Sequence, residues 1–173
     1  MGTGAASFSA STRDHIQIST FTLGRSGLSF AFWFRANYVS QWARIFDFGN
    51  GAGNDNVVVA IDRNYLTAEV YKTPTSNLQK TNPWGSIVND NSWRHAVWTI
   101  DSSGTWLTYL DGDLVSTYLY IGYPNNVALK YNYLARSSWT GDPYFTGEID
   151  EFYVFNYVIT ASDVGALYYG ENT

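Results

Sequence analysis

The chain contains no cysteine. That removes disulfide frameworks, thiolate zinc sites and thiol nucleophiles together, and leaves the redox compartment open. At 173 residues one domain can bury about 70% of the surface its unfolded chain exposes, so neither a disulfide nor a metal is needed to supply a core. Cations are scarce: 10 Lys and Arg against 15 Asp and Glu give a net charge of −5, and two protonated histidines would bring it only to −3. Nothing attracts a phosphate backbone over a broad face, so no nucleic-acid partner is expected. Long apolar runs are missing too. Leu28–Phe34 is interrupted by Ser29 and Val57–Ile61 spans five residues, against roughly 20 for a bilayer span, so membrane insertion is not expected. The first cation is Arg13 and no signal-peptide pattern precedes it. No Asn opens an Asn-x-Ser/Thr acceptor either, so the residues themselves give no localisation.

What is present points to β structure. Aromatic residues make up 18% of the chain and charged residues only 14%, a bias toward side chains that fit pleated, half-buried surfaces. Turn signals recur at Gly24–Gly27, Gly49–Asn56, Thr73–Ser76, Asn82–Gly85, Asn89–Asn91, Asp101–Gly104, Asp111-Gly112, Tyr123–Asn126 and Ser137–Pro143. Between them lie short runs rich in β-branched and aromatic residues, the pattern of an antiparallel sandwich or barrel. Ser29–Arg35 is apolar on both alternations and predicts a strand covered on both faces. Arg94–Asp101 and Trp106–Leu110 predict a hairpin, with Asp111-Gly112 as the next tight turn. One short helix is expected at Ala161–Tyr169, with Thr160 as its cap, Asp163 near its positive end and Gly170 as its stop. No repeat or low-complexity linker divides the chain. One domain over 1–173 is expected, its core at about 8–169, with loose ends at Met1–Ala6 and Gly170–Thr173.

Several separated segments together resemble the concanavalin A-like lectin/glucanase superfamily, in its laminin-G-like and pentraxin-like branch. They are Leu28–Phe34, Arg44–Gly49, Trp93–Asp101, Thr108–Gly112 and Phe145–Phe155, followed by Val158–Asp163 and Leu167-Tyr168. The resemblance implies an all-β jelly-roll sandwich of two curved antiparallel sheets with one short C-terminal helix. It also favours an extracellular or surface-exposed setting. The scaffold serves lectins, carbohydrate-binding modules, adhesion domains and glycosidases alike, so function must come from the site.

The resemblance suggests catalysis at Glu148-Ile149-Asp150-Glu151, because glycosidases of this superfamily carry Glu-x-Asp-x-Glu or Glu-x-Asp-x-x-Glu on one strand. Alternate strand residues share a face, which sets the two carboxyls of a retaining enzyme about 5 Å apart. Here Phe152 or Tyr153 occupies the third position, and Glu151 is expected on the opposite face from Glu148 and Asp150. No catalytic residue is therefore assigned. His95 sits inside a strand and reads as structural, and without a Gly-x-Ser-x-Gly elbow neither His95 nor His15 suggests a hydrolytic triad.

Calcium is the cofactor left open. The oxygen-rich Gly49–Asn56 loop suits it chemically, and Asp55-Asn56 resembles the pentraxin calcium pair. The partner segment departs from that pattern, with Leu134-Ala135-Arg136 bringing a cation where pentraxins carry acids. A single structural calcium at Asp150, with early-chain oxygens near Asp14, is the alternative the resemblance allows. Against it stands Asp150 pairing with an Arg or capping a turn.

A pyranose offers an apolar C–H face edged by hydroxyls, so its site needs a flat exposed ring beside Asp, Asn or Arg. Tyr131, Arg136, Trp139, Asp142 and Tyr144 supply those parts within one stretch, and Asn54 and Asp55 add to them from the earlier loop. Trp139 lies in a turn-prone stretch where an indole is hard to bury. Trp84 reads as a second loop tryptophan, whereas Trp33, Trp93, Trp98 and Trp106 fall in strands and read as core. Trp139 could equally fold back over the sheet edge. The expected function is a non-catalytic glycan- or polysaccharide-binding module. The alternatives are an adhesion domain that contacts proteins and a glycosidase or lyase of the same fold.

Overall fold

A computed structural model of the chain describes residues 4–37, 40–73, 77–81 and 84–170. In chain order the strands are β1 (Ala6–Phe8), β2 (Ile16–Ile18), β3 (Phe21–Thr22), β4 (Gly27–Arg35), β5 (Ala43–Gly49), β6 (Val57–Asp62) and β7 (Tyr65–Lys72). There follow β8 (Asn77–Lys80), β9 (Trp93–Asp101), β10 (Trp106–Leu110), β11 (Asp113–Tyr118), β12 (Ala128–Leu129), β13 (Tyr131–Leu134), β14 (Gly147–Phe155) and the helix α1 (Ala161–Tyr169). The first sheet runs β1-β14-β4-β9-β10-β11 and the second β2-β13-β5-β6-β7-β8, with β12-β3 as a small third sheet. All described pairings are antiparallel. This is the jelly-roll sandwich the segments implied. The turns expected at Thr73–Ser76 and Asn82–Gly85, and both chain ends, lie partly outside the described residues. Ala6, expected in a loose end, already pairs with Ile149.

Period-two alternation explains the layering. From β4, residues Leu28, Phe30, Phe32 and Phe34 enter the core. Phe46, Phe48, Val57, Val59 and Ile61 meet them from the second sheet in one cluster. Phe30 stacks on Phe46 at 5.0 Å and on Trp98 at 5.4 Å, so the rings supply much of the thickness between the sheets. The opposite alternation of β4 is buried as well. Ala31 joins Val97, Tyr109, Ile159 and Val164 beneath α1, and Tyr168 stacks on Trp33 at 5.5 Å and 17°. That second cover is why Phe30–Phe34 is apolar on both alternations. The helix holds its expected capping box: Thr160 accepts from the Asp163 N–H, Asp163 accepts from the Thr160 N–H, and Gly170 closes the helix in a left-handed conformation.

Three register shifts interrupt the described ladders, and two of them, in β14 and β5, re-aim core side chains. In β14 the register moves from Asp150↔Trp33 to Tyr153↔Ala31, and Glu151 takes φ +46°. The extra residue turns Phe152 inward, 5.6 Å from Phe32 and 5.4 Å from Phe46. In β5 a shift between Arg44 and Phe46 sends Ile45 and Phe46 to the core together. Arg44 and Asp47 are thereby left on the outer face of the second sheet.

Candidate functional site

The outer face of the second sheet carries ions where the first sheet carries a helix. The ladders place Gln17, Tyr133, Asp47, Val58, Glu69 and Lys80 in one row across six strands. Arg44 is 3% exposed and Glu69 2%, levels at which a charge survives only with partners. Arg44 has them at both Nη atoms and over its faces, although its buried Nε finds none among the described residues. Its Nη2 lies 2.8 Å from Asp142 Oδ2, its Nη1 donates to the Trp42 carbonyl at 2.7 Å, and its guanidinium sits between the rings of Trp42 (5.6 Å) and Trp139 (5.3 Å). Glu69 is met by Lys80 at 3.3 Å and accepts from the Tyr71 hydroxyl at 2.9 Å. Lys80 also reaches Asp62 at 3.6 Å and lies 4.0 Å over Trp42. Burial, and next the Glu69 charge, push the Tyr71 hydroxyl above the ordinary tyrosine range, so it remains a proton donor.

A loop from Arg136 to Tyr144 is fastened onto this row. Its neck is closed by the Phe145 N–H on the Ala135 carbonyl at 3.1 Å and the Ala135 N–H on Ile45 at 2.9 Å. Its base is held by Asp47, which accepts from the Ser138 N–H and from Asn56 Nδ2, each at 2.7 Å. Burial raises the Asp47 pKa, while these hydrogen bonds and Arg44 oppose the rise. Asn56 reaches Asp47 across Gly49, where an added Cβ would lie 2.4 Å from Asn56 Nδ2, so this crossing requires glycine. Within the loop Ser137 donates to Asp142 at 2.8 Å and accepts from the Trp139 N–H at 3.1 Å.

The result is a cleft of about 310 Å³ between Trp42, Arg44, Glu69, Lys80, Trp139 and Asp142. Trp139 is half-buried, 4.9 Å from Tyr71. Flat rings stand beside fixed charged donors and acceptors, which is chemistry suited to a polyhydroxylated ligand.

The structure brings together four of the residues expected from the sequence. Arg136, Trp139, Asp142 and Tyr144 line one further depression beside the cleft. Asn54 and the exposed Tyr131 meet elsewhere, in a depression with Asn50 and Lys130. Asp55 stands apart from both, with its Oδ1 accepting from the Thr73 N–H at 3.1 Å and from Asn125 Nδ2 at 2.8 Å. The Asp14 carboxylate accepts from the Ser9 N–H and from Thr12, and Asp150 accepts from the Glu151 N–H. Among the described residues no three His, Cys, Asp or Glu side chains gather as a metal-ligand group.

Trp84 corrects an expectation. It is fully buried, with its N–H on the Leu66 carbonyl and its indole N–H on Thr81 Oγ1 at 3.1 Å. Trp98 and Trp106 are core as expected, and Trp33 lies under α1. Trp93 is only half-buried, with Arg35 5.5 Å over its ring. His95 packs against both Trp33 (5.1 Å) and Tyr168 (6.0 Å), and burial depresses its pKa to about 4. Glu148 is ion-paired with Arg35, and the third position of the glycosidase pattern is filled by the core ring of Phe152. Reading the sequence missed Trp42, Arg44, Tyr71, Glu69 and Lys80. The available signal was an ionic residue at alternate positions of otherwise apolar strands.

A family model described as the concanavalin A-like lectin/glucanases superfamily matches residues 10–165. No curated protein sequence matches the chain. Among solved structures, domain 4 of an extracellular arabinanase from Geobacillus stearothermophilus, in complex with arabinotriose, superposes with a TM-score of 0.71. The two are 17% identical, over 94% of this chain and 75% of that one. The botulinum neurotoxin serotype G binding domain gives 0.65 at 18% identity, over 98% of this chain and 47% of that one. The binding domain of Paraclostridial mosquitocidal protein 1 gives 0.64 at 14%, over 89% and 40%. This chain thus spans less than half of those two toxin domains, and at such identities the likeness is one of fold. Together with the sandwich and its segments, the family match shows that the chain belongs to the concanavalin A-like lectin/glucanase superfamily.

Proposed function

We propose that this chain is a non-catalytic carbohydrate-binding module that holds a saccharide in the cleft between Trp42 and Trp139. The observation that carries the reading is the near-complete burial of Arg44 and Glu69 beneath half-exposed rings, each ion held by two or more partners. Their partly exposed partners Asp142 and Lys80, fixed by these buried ions, can meet sugar hydroxyls with little further ordering cost, while Trp139 offers a C–H face its stacking surface. The arabinanase domain solved with arabinotriose and a botulinum toxin binding domain solved with SialylT support sugar binding on this scaffold in general terms. The neighbours named as binding domains agree with a role without catalysis.

The test is a glycan array followed by calorimetry on the hits, each run with calcium and with a chelator. Binding is expected for the native chain and weakened in Trp139→Ala. Silence on every glycan in both arms would overturn the proposal. The paired arms also decide whether calcium at Asp14 and Asp150 contributes. A protein-contact role has its own support in Leu114, Leu119 and Tyr120, all exposed at the β11 edge of the first sheet. That role predicts partner capture that Trp139→Ala leaves intact.

A further inference from the structure

Beside the Trp139 cleft, the second depression encloses about 330 Å³ and is lined by Arg13, Arg136, Ser138, Trp139, Asp142 and Tyr144. Trp139 and Asp142 line both spaces, so the two adjoin. Two arginines, Arg13 and Arg136, line the second depression, and among the described residues neither has a carboxylate at ion-pairing distance. Arg35, Arg44, Lys80 and Arg94 are all paired. Arg25 and Arg63 also lack such partners among the described residues, but both are exposed and neither lines this depression. The one carboxylate of the depression, Asp142, already has its Oδ2 engaged by Arg44 and by Ser137.

Arg136 is held in place without being neutralised. Its Nη1 lies 3.2 Å from His15 Nε2, and a guanidinium can only donate, so Nε2 is the acceptor. The His15 proton then sits on Nδ1, which donates to the Arg13 carbonyl at 3.0 Å. The Arg136 guanidinium lies 4.3 Å over the Tyr133 ring, and His15 stands edge-on to Tyr133 and Tyr144 at about 6 Å. A neutral imidazole and a phenol ring therefore fix the fork while its remaining N–H groups stay available. A rigid guanidinium fork matches a planar carboxylate or a sulfate in a way that an ammonium does not.

We infer that this depression takes the carboxylate or sulfate group of an acidic saccharide whose ring lies on Trp139. The inference rests on reading the Trp139 cleft as a sugar site, and it narrows the ligand class from glycans to acidic glycans.

The test uses matched pairs on the native chain: sialyllactose against lactose, tetragalacturonate against its carboxyl-reduced tetramer, and 6-sulfated lactose against lactose. The acidic member of at least one pair is expected to bind tenfold or more tightly at low salt, with the preference shrinking as salt rises. Arg136→Gln and Arg13→Gln each bring the acidic member toward its neutral counterpart, and Arg136→Lys recovers only part of the difference. The carboxylate and sulfate pairs decide which anion is read. Equal binding within every pair, with the neutral sugars bound, overturns this inference and leaves the sugar reading standing. No binding of any glycan overturns both. Capture of phosphatidylserine vesicles with no acidic glycan bound also overturns it, in favour of an anionic lipid surface.

Discussion

The two outer faces of the sandwich come from the same alternation and are finished in opposite ways. On the first sheet Ala31, Trp33, Val97 and Tyr109 are roofed by the segment from Ile159 to Tyr168, and the imidazole of His95 packs against the same rings. On the second, Arg44, Asp47, Glu69 and Lys80 lie in adjacent rows under a loop that leaves clefts open. An apolar face gains stability from being covered. An ionic face gains little net stability from burial, because desolvation offsets pairing; what it acquires is rigidity in its polar groups. The comparison assigns stability to one face and recognition to the other, and substitutions can break or sharpen that division.

The largest effect is expected on the covered face. Trp33 is 8% exposed and packed against Tyr168 and His95, so Trp33→Ala should cost about 3–5 kcal/mol of unfolding free energy. Glycan affinity of the folded fraction should not change. Urea unfolding measures the first and calorimetry the second; a loss under about 1 kcal/mol would mean that α1 is not a stabilising roof.

The next effect comes from His95 under the same roof. Burial depresses its folded pKa to about 4, with the Asp111 charge pulling weakly the other way. An unfolded histidine titrates near 6.5, so between these values the unfolded chain binds the extra proton. The contribution to stability is complete above about pH 6.5 and is lost as pH falls toward 4, and it amounts to about 3 kcal/mol. Asp47 works in the opposite sense, since its raised pKa favours protonation in the folded state. Comparing urea midpoints at pH 7 and 4.5 for the native chain and His95→Gln cancels that background. The drop in stability should be markedly smaller in the variant; equal drops would place the acid sensitivity elsewhere.

The two faces also differ in how far the sequence revealed them. Strand β4, the β9–β10 hairpin, Asp111-Gly112 and the capped helix were legible because each is encoded within a few neighbouring residues. Even the roof could be inferred, since a strand apolar on both alternations has to be covered twice. The cleft could not. Arg44, Glu69 and Lys80 become neighbours through the register of four strands and through a bulge in β5, and no local pattern states a register. Trp139, Asp142, Arg136 and Tyr144 were found because one loop carries them all, whereas Asp55 was grouped with them only by residue type. Trp84 was misread for the converse reason. Its neighbours have turn chemistry, but bonds to Leu66 and Thr81 satisfy its N–H groups and let the indole enter the core.

On the open face the expected effect is smaller and falls on binding. Trp139 is half-buried in a loop and contributes one side of the Arg44 sandwich, so Trp139→Ala should weaken glycan binding about thirtyfold, or about 2 kcal/mol. Unfolding free energy should move by less than about 1 kcal/mol. Titration calorimetry beside urea unfolding separates the two. A large stability loss with affinity intact would make Trp139 a cover for Arg44 instead of a stacking surface.

The smallest effect sharpens the division most, because it loosens the roof without removing any ring. Thr160 and Asp163 satisfy each other's backbone N–H groups at the start of α1, and Val164 is the helix residue buried against the first sheet. Thr160→Ala removes the acceptor for the Asp163 N–H and should cost about 1 kcal/mol. Amide exchange should accelerate across 161–169, the helix frays from its capped end, and its rings spend more time off Trp33. None of this touches Arg44, Glu69 or the Arg136–Tyr144 loop, since the core between the sheets separates them. Glycan affinity should therefore stay within about twofold, a change of under ~0.5 kcal/mol. A larger loss of affinity in this variant would show that the roof and the cleft are coupled through the core, and the assignment of stability to one face and recognition to the other would fail.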